Sequence, residues 1–179
     1  MSIFAPAIIN LWKTIESYGI DPTPLFEAEN VKIQLPPDPC QRISYDKLDR
    51  IRARAIKECG DQTFGLRQAQ CYSPSQFGAL GYAMLVSSTL RSACLRLERY
   101  VRITNLGAEV KVEDQGDCMV ITHRLNIPSE VEYVRADGAM ALITKMCRMT
   151  YGDDFRLKAA NFRHAEPEDI KPYIEYFGC

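Results

Sequence analysis

The sequence lacks the markers of the common chemistries. It contains no GxSxG elbow, no phosphate-binding GxxxxGK[S/T] loop, no GxGxxG after a strand pattern and no HExxH pair, so the usual hydrolase, nucleotide and metalloprotease signatures are absent. Only two histidines are present, His123 and His164, so a Cys/His nucleophilic pair would have to be assembled from distant positions. The seven cysteines, at 40, 59, 71, 94, 118, 147 and 179, form no CxxC pair and no Cys/His cluster. An odd, widely spaced set is not a disulfide scaffold. It predicts reduced thiols in a cytosolic protein, several of them acting as small core hydrophobes, and no structural metal. Charge of one sign is also missing: 22 Lys and Arg face 23 Asp and Glu, a net charge of -1. The chain as a whole therefore presents no electrostatic footprint for a phosphate backbone. No apolar run approaches the roughly 18 residues of a membrane span, and no basic n-region opens the chain. A cytoplasmic protein with no membrane partner is expected.

What is present is enough for one core: 179 residues, 46% of them hydrophobic. Ile8, Ile9, Leu11, Trp12 and Ile15 have near-helical spacing and predict a helix over 6–18, stopped at Gly19. Asp21-Pro22 and Pro24 restart a short helical turn, and Leu35-Pro36-Pro37-Asp38-Pro39 reads as an extended loop that cannot supply ladder donors. Ser44 is placed to cap a helix whose apolar stripe is Leu48, Ile51, Ala55, Ile56 and Cys59, with Asp49, Arg50, Arg52 and Arg54 mostly outside it and Gly60-Asp61 closing it. Ser73-Pro74-Ser75-Gln76 has the form of a capping box opening a buried helix from Phe77 to Val86. A cap at Ser87 or Ser88 would start a longer helix with Leu90, Ala93, Cys94, Leu97, Tyr100 and Val101 on one face. Beyond Gly107 the period changes to two. Val110 and Val112, then Met119, Ile121, His123 and Leu125, alternate with polar residues around Asp114-Gln115-Gly116-Asp117, the pattern of a hairpin with one buried face. Ser129 or a neighbour begins a largely apolar helix to about Met149, ended by Gly152-Asp153-Asp154. A short strand over 157–163, with Ala160 and Phe162 on one side, and a helix after Pro167 complete the chain. The fold class is α+β, a single domain in which helices cover a small antiparallel sheet.

His123 falls on the hairpin face assigned to the interior, where an imidazole would either contact a ligand in an apolar pocket or be satisfied by a neighbouring backbone carbonyl. Tyr82, Met84, Ser88 and Tyr100 lie on the two helices expected to cover the sheet. They would line a cavity for a small organic molecule or simply pack. Arg91, Arg96, Arg99 and Arg102 make a locally basic helix face: a solvated surface, a dimer or interdomain contact, or an anion or nucleic-acid site, the last disfavoured because Tyr100 is the one aromatic among them for base stacking. Asp153-Asp154 and Glu113-Asp114 sit at turns, where carboxylates ordinarily cap. No catalytic residue and no cofactor is assigned.

Three segments in order carry a resemblance: Phe64-Gly65-Leu66-Arg67, then Phe77-Gly78-Ala79-Leu80-Gly81-Tyr82-Ala83-Met84-Leu85, then Ser87-Ser88-Thr89-Leu90-Arg91-Ser92-Ala93, continued by Leu97-Glu98-Arg99-Tyr100. With Phe162-Arg163-His164-Ala165-Glu166-Pro167 and Tyr173-Ile174-Glu175-Tyr176-Phe177-Gly178-Cys179, the order resembles the arabinose-binding-like N-terminal domain of AraC-type transcription regulators over about residues 5–179. The resemblance implies that residues 1–179 form an effector-binding and dimerisation domain, and that a C-terminal helix-turn-helix domain, absent from this chain, contacts the DNA. It implies a small-molecule effector of unstated identity and a homodimer. The alternative is a ligand-free oligomerisation or partner-docking module. The departures are the missing proline between Ser88 and Thr89 and the stop at Cys179, before an expected strand, which suggests truncation. Gly78 and Gly81, beside Ala79 and Ala83, are expected to allow close backbone approach between helices.

Overall fold

Helix boundaries fall at residues with special backbone preferences. In the computed structural model, which describes residues 1–34 and 36–179 apart from the side chain of Asp153, α1 (Ala5–Glu16) carries Pro6 in its first turn, and Gly19 follows at φ +75°. After α2 (Thr23–Ala28), α3 (Tyr45–Cys59) ends at Gly60 in the left-handed region, where the Gly60 amide donates to the Ile56 carbonyl at 2.9 Å. Leu35, the first residue of the proline-rich loop, lies outside the described residues. Ser44 holds the N-cap position of α3, but its hydroxyl makes no cap bond.

Two expectations about the middle of the chain are revised. The capping box at Ser73 and Gln76 forms, but it opens only a single 3-10 turn, Pro74–Phe77. Gly78, at φ +56° and ψ -140°, then redirects the chain into α5 (Gly78–Leu85). This helix is half-covered rather than buried: it packs on α6 (Leu90–Thr104) and on the preceding turn, burying Leu80, Gly81 and Met84, while its other apolar residues face outward. The cap of α6 is Thr89, not Ser87 or Ser88. Thr89 Oγ1 accepts from the Ser92 amide at 3.1 Å, whereas the Ser87 hydroxyl turns back to the Ala83 carbonyl at 2.7 Å and closes α5.

The hairpin lies where the two-residue period predicts it. β3 (Ala108–Asp114) and β4 (Met119–Leu125) pair antiparallel, with Val110 opposite His123 and Val112 opposite Ile121. A second two-stranded sheet, β1 (Ser2–Phe4) with β2 (Arg42–Ser44), has strands too short for a periodicity to show, and an isolated bridge joins Ile3 to Asn105. The strand expected over 157–163 does not form. Leu157, Ala160 and Phe162 instead pack sideways against Leu66, Ala69, Ala141, Tyr173 and Phe177, burying apolar surface without a ladder. This cluster is held by α4 (Phe64–Arg67), α7 (Glu132–Tyr151) and α8 (Lys171–Phe177). The fold is thus α+β, one domain, with two small antiparallel sheets among helices in the described residues.

Separate hydrophobic clusters sit under α1–α3 and between α6, the hairpin and α7, and α7 reaches both. The tight crossing beneath it belongs to Gly65: a Cβ there would lie 2.5 Å from Asp137 Cβ and 2.6 Å from the Val134 carbonyl oxygen. Gly81 is equally confined, but by the Pro74 carbonyl of the adjoining turn rather than by a neighbouring helix. Among the described residues, no helix is long and apolar enough to cross a membrane.

Candidate functional site

Where α1, α3, α6, the hairpin and α7 meet, the side chains leave a cavity of about 110 Å³. Its walls are mostly apolar, including Ile8, Leu11, Leu48, Leu97, Val101 and Ile143, with Asn10, Tyr45, Arg52, Gln68, His123 and Arg135 among them. A cavity with apolar walls and a few polar groups is the usual build of a small-molecule site. The volume is of the order of a benzene-sized cavity, ~150 Å³.

Its charged corner is formed by α3 and α7. Asp49 accepts from Arg52 Nη1 at 3.0 Å through Oδ1 and from Arg135 Nη1 at 2.9 Å through Oδ2. Arg135 also donates to the Ile127 carbonyl, and its guanidinium stands 5.7 Å from the Tyr45 ring centroid. Arg52 is 9% exposed and Arg135 6%. Burial pulls the Arg52 pKa below its ordinary value, and Asp49 works against that shift. Burial also raises the Tyr45 phenol to about 12. Among the described residues, three buried side-chain atoms have no hydrogen-bond partner: Asn10 Oδ1, Arg52 Nε and Arg135 Nε. All three belong to residues that line this cavity.

His123 reaches the same cavity from β4. His123 is half-buried, and that burial lowers its pKa from 6.5 to about 4, which keeps the imidazole neutral near pH 7. The other residues singled out on the sequence are not gathered there. Met84 is buried beneath α5 in the core with Leu80 and Leu97, while Tyr82 is 54% exposed, Tyr100 39% exposed and Ser88 exposed. Tyr100 faces outward because the covered side of α6 is filled by Ala93, Cys94, Leu97 and Val101, and Tyr82 because α5 turns Leu80, Gly81 and Met84 inward. The basic face of α6 is partly engaged: Arg91 pairs with Asp114 at 3.2 Å and Arg96 donates to the Ala83 carbonyl at 2.9 Å. Asp114 also accepts from the Gly116 amide at 2.9 Å, a turn role, while the side chain of Asp153 lies outside the described residues.

Pattern reading missed Asn10, Arg52 and Arg135. Signals existed: Arg52 stands one turn beyond Leu48 and between Ile51 and Ala55, inside the stripe rather than beside it. Arg135 and Asp137 are charges early in a helix that is otherwise largely apolar.

A second buried polar group pins the C-terminal segment. Asp137 accepts from the Tyr173 hydroxyl at 2.6 Å, and His164 Nε2 lies 2.9 Å from its other oxygen. Burial raises the Asp137 pKa, and the two partners oppose the shift. A hollow of about 260 Å³ lies beside it, between residues 160–167 and α8. All seven cysteines are free thiols, and no cluster able to hold a metal occurs among the described residues.

Comparison with known proteins agrees with the residue patterns. The model of the family described as the arabinose-binding domain of AraC transcription regulators, N-terminal, matches residues 19–179. The ornithine utilization regulator of Pseudomonas aeruginosa is 26% identical over 176 residues, which cover 98% of this chain and 51% of that protein. The chain thus spans about half the length of the curated relative it matches.

Proposed function

We propose, because the chain belongs to the family of arabinose-binding N-terminal domains of AraC transcription regulators, that it is the regulatory half of such a regulator and binds a small-molecule effector in the cavity between α1, α3, α6, the hairpin and α7. The carrying observation is the cavity itself: it is lined by α1, α3, α6, the hairpin and α7, so a molecule inside it contacts α3 and α7 together with the hairpin. Occupancy that favours one packing of these layers would change how a helix-turn-helix half, supplied outside residues 1–179, is presented to DNA. Binding, not catalysis, is the role.

Thermal unfolding against a metabolite library tests this. A true effector raises the melting temperature of the chain, and Ala139→Phe, which fills the cavity from α7, removes that increase without unfolding the protein. A folded chain that no compound stabilises would overturn the reading.

A second reading is self-association, either alongside sensing or in place of it. It is favoured by the exposed apolar side chains of two consecutive helices and the connection between them: Tyr82, Leu85, Val86, Leu95, Tyr100 and Ile103. Sedimentation at several concentrations distinguishes the two. A strict monomer that binds a metabolite removes the dimer, and a dimer that binds none removes the sensor.

A further inference from the structure

We infer that the cavity is a carboxylate site: it takes the acid group of a small organic acid at the Nε–H donors of Arg52 and Arg135, and a hydroxyl or amino donor of the same molecule at Asn10 Oδ1. This rests on the effector reading above and states the chemistry that effector must have.

The first ground is charge. Two guanidiniums share one carboxylate, leaving a formal charge of +1 in a buried corner. Both oxygens of Asp49 are already used, and no Asp or Glu is found among the described residues lining the cavity. Among the described residues, the other buried acids are engaged elsewhere: Glu29 with Arg50 and Arg54, Asp137 with Tyr173 and His164. An uncompensated buried charge is costly, so the neutralising group has to come from outside the chain.

The second ground is geometry. Each arginine has spent one Nη on Asp49 and kept its Nε–H unpartnered. Guanidinium N–H donors recognise a planar carboxylate better than they recognise a neutral carbonyl. Asn10 supplies the complementary demand. Its Nδ2 donates to the Gln68 carbonyl at 2.8 Å, which fixes the amide so that the unpartnered Oδ1 is an acceptor. The walls select against other anions: inorganic phosphate would leave the apolar side chains uncovered, whereas an acid with a ring-sized or branched aliphatic body covers them. A cationic amine without an acid group would meet two guanidiniums.

Titration of the chain with benzoate, 4-hydroxybenzoate and benzamide decides the matter, read by calorimetry and by the arginine ¹H–¹⁵N Nε signals. Benzoate is expected to bind and to shift two buried Nε–H signals, with benzamide at least tenfold weaker. The advantage of 4-hydroxybenzoate over benzoate should vanish in Asn10→Leu. Arg52→Gln leaves Asp49 and Arg135 as a balanced pair, and it should weaken benzoate at least tenfold and benzamide by clearly less. If that variant does not fold, the Nε signals of the unmodified chain carry the test alone. Benzamide binding as tightly as benzoate, or benzoate leaving the Nε signals in place, overturns the carboxylate site. If a neutral metabolite stabilises the chain while no acid does, sensing survives and this inference falls. If neither acids nor neutral compounds stabilise it, both fall.

Discussion

Asp49 and Asp137 are both buried carboxylates that tie α7 to another part of the chain, and each takes two partners. Asp137 receives the Tyr173 hydroxyl and His164 Nε2, and no atom of this group is among the buried unpartnered ones. Asp49 receives two guanidiniums, and both keep an unpartnered Nε. The first cluster is saturated by the chain itself and behaves as a fastener for residues 160–177. The second is left one charge out of balance beside a cavity. A fold that pairs its buried polar groups so fully in one place and not in the other marks the second as a place for a ligand.

The largest effect expected from breaking this contrast is on Asp49→Ala. Removing the carboxylate strands two buried guanidiniums, at a cost of ~3–5 kcal/mol in urea unfolding. If the cavity accepts acids, saturating benzoate recovers part of the loss by binding the folded state alone. A cost below ~1 kcal/mol would mean that the two arginines reach solvent and that the imbalance is not a buried one.

Asp137→Ala should cost less, ~2–3 kcal/mol, because it strands a hydroxyl and an imidazole rather than two permanent cations. Its signature is local. Amide exchange should accelerate in α8 and leave α3 protected, with no recovery on adding benzoate. Equal recovery of both variants by benzoate would erase the distinction between fastener and site.

The helices and hairpin were legible because a covered face leaves a period in the sequence. Ile8, Leu11 and Ile15 mark α1, and Val110, Val112, Ile121 and His123 mark the hairpin. Of the candidate site residues singled out from the sequence, only His123, which shares the hairpin's alternation, lines the cavity. Tyr82 and Tyr100 look like pocket residues by composition, yet the inward sides of α5 and α6 are already filled by other side chains, Leu80 and Met84 on one and Ala93, Cys94, Leu97 and Val101 on the other. Arg52 and Arg135 look like solvated charges until a carboxylate on α3 and a helix 86 residues further along the chain are brought together. That pairing is long-range and has no period, so only the assembled fold reveals it. The strand expected at 157–163 failed for a related reason: apolar alternation showed that the segment packs, but not whether a neighbouring edge was free to pair with it.

His123 sharpens the same contrast through pH. Its folded value of about 4 lies below the ordinary 6.5, so between those values the folded chain binds fewer protons than the unfolded one. Stability is therefore fully present above about pH 6.5 and is lost as pH falls toward 4. The expected loss is about 1 kcal/mol between pH 7 and pH 5.5. His123→Gln keeps a polar side chain without the titration and should flatten that part of the profile in urea unfolding. An unchanged slope would place the loss on groups other than His123; Asp137 is not one of them, because its raised pKa makes the folded chain gain stability as pH falls.

The smallest effects should come from the surface that sequence composition favoured. Tyr82→Ser and Tyr100→Ser remove side chains that are 54% and 39% exposed, so each should change unfolding free energy by no more than ~1 kcal/mol and leave benzoate affinity where it was. Their informative readout is sedimentation: if α5 and α6 form a contact between two copies, the pair of changes weakens association without touching the cavity. Should either tyrosine instead alter ligand affinity severalfold, binding would be coupled to the α5–α6 surface, and the separation between an inner sensing site and an outer contact face would have to be given up.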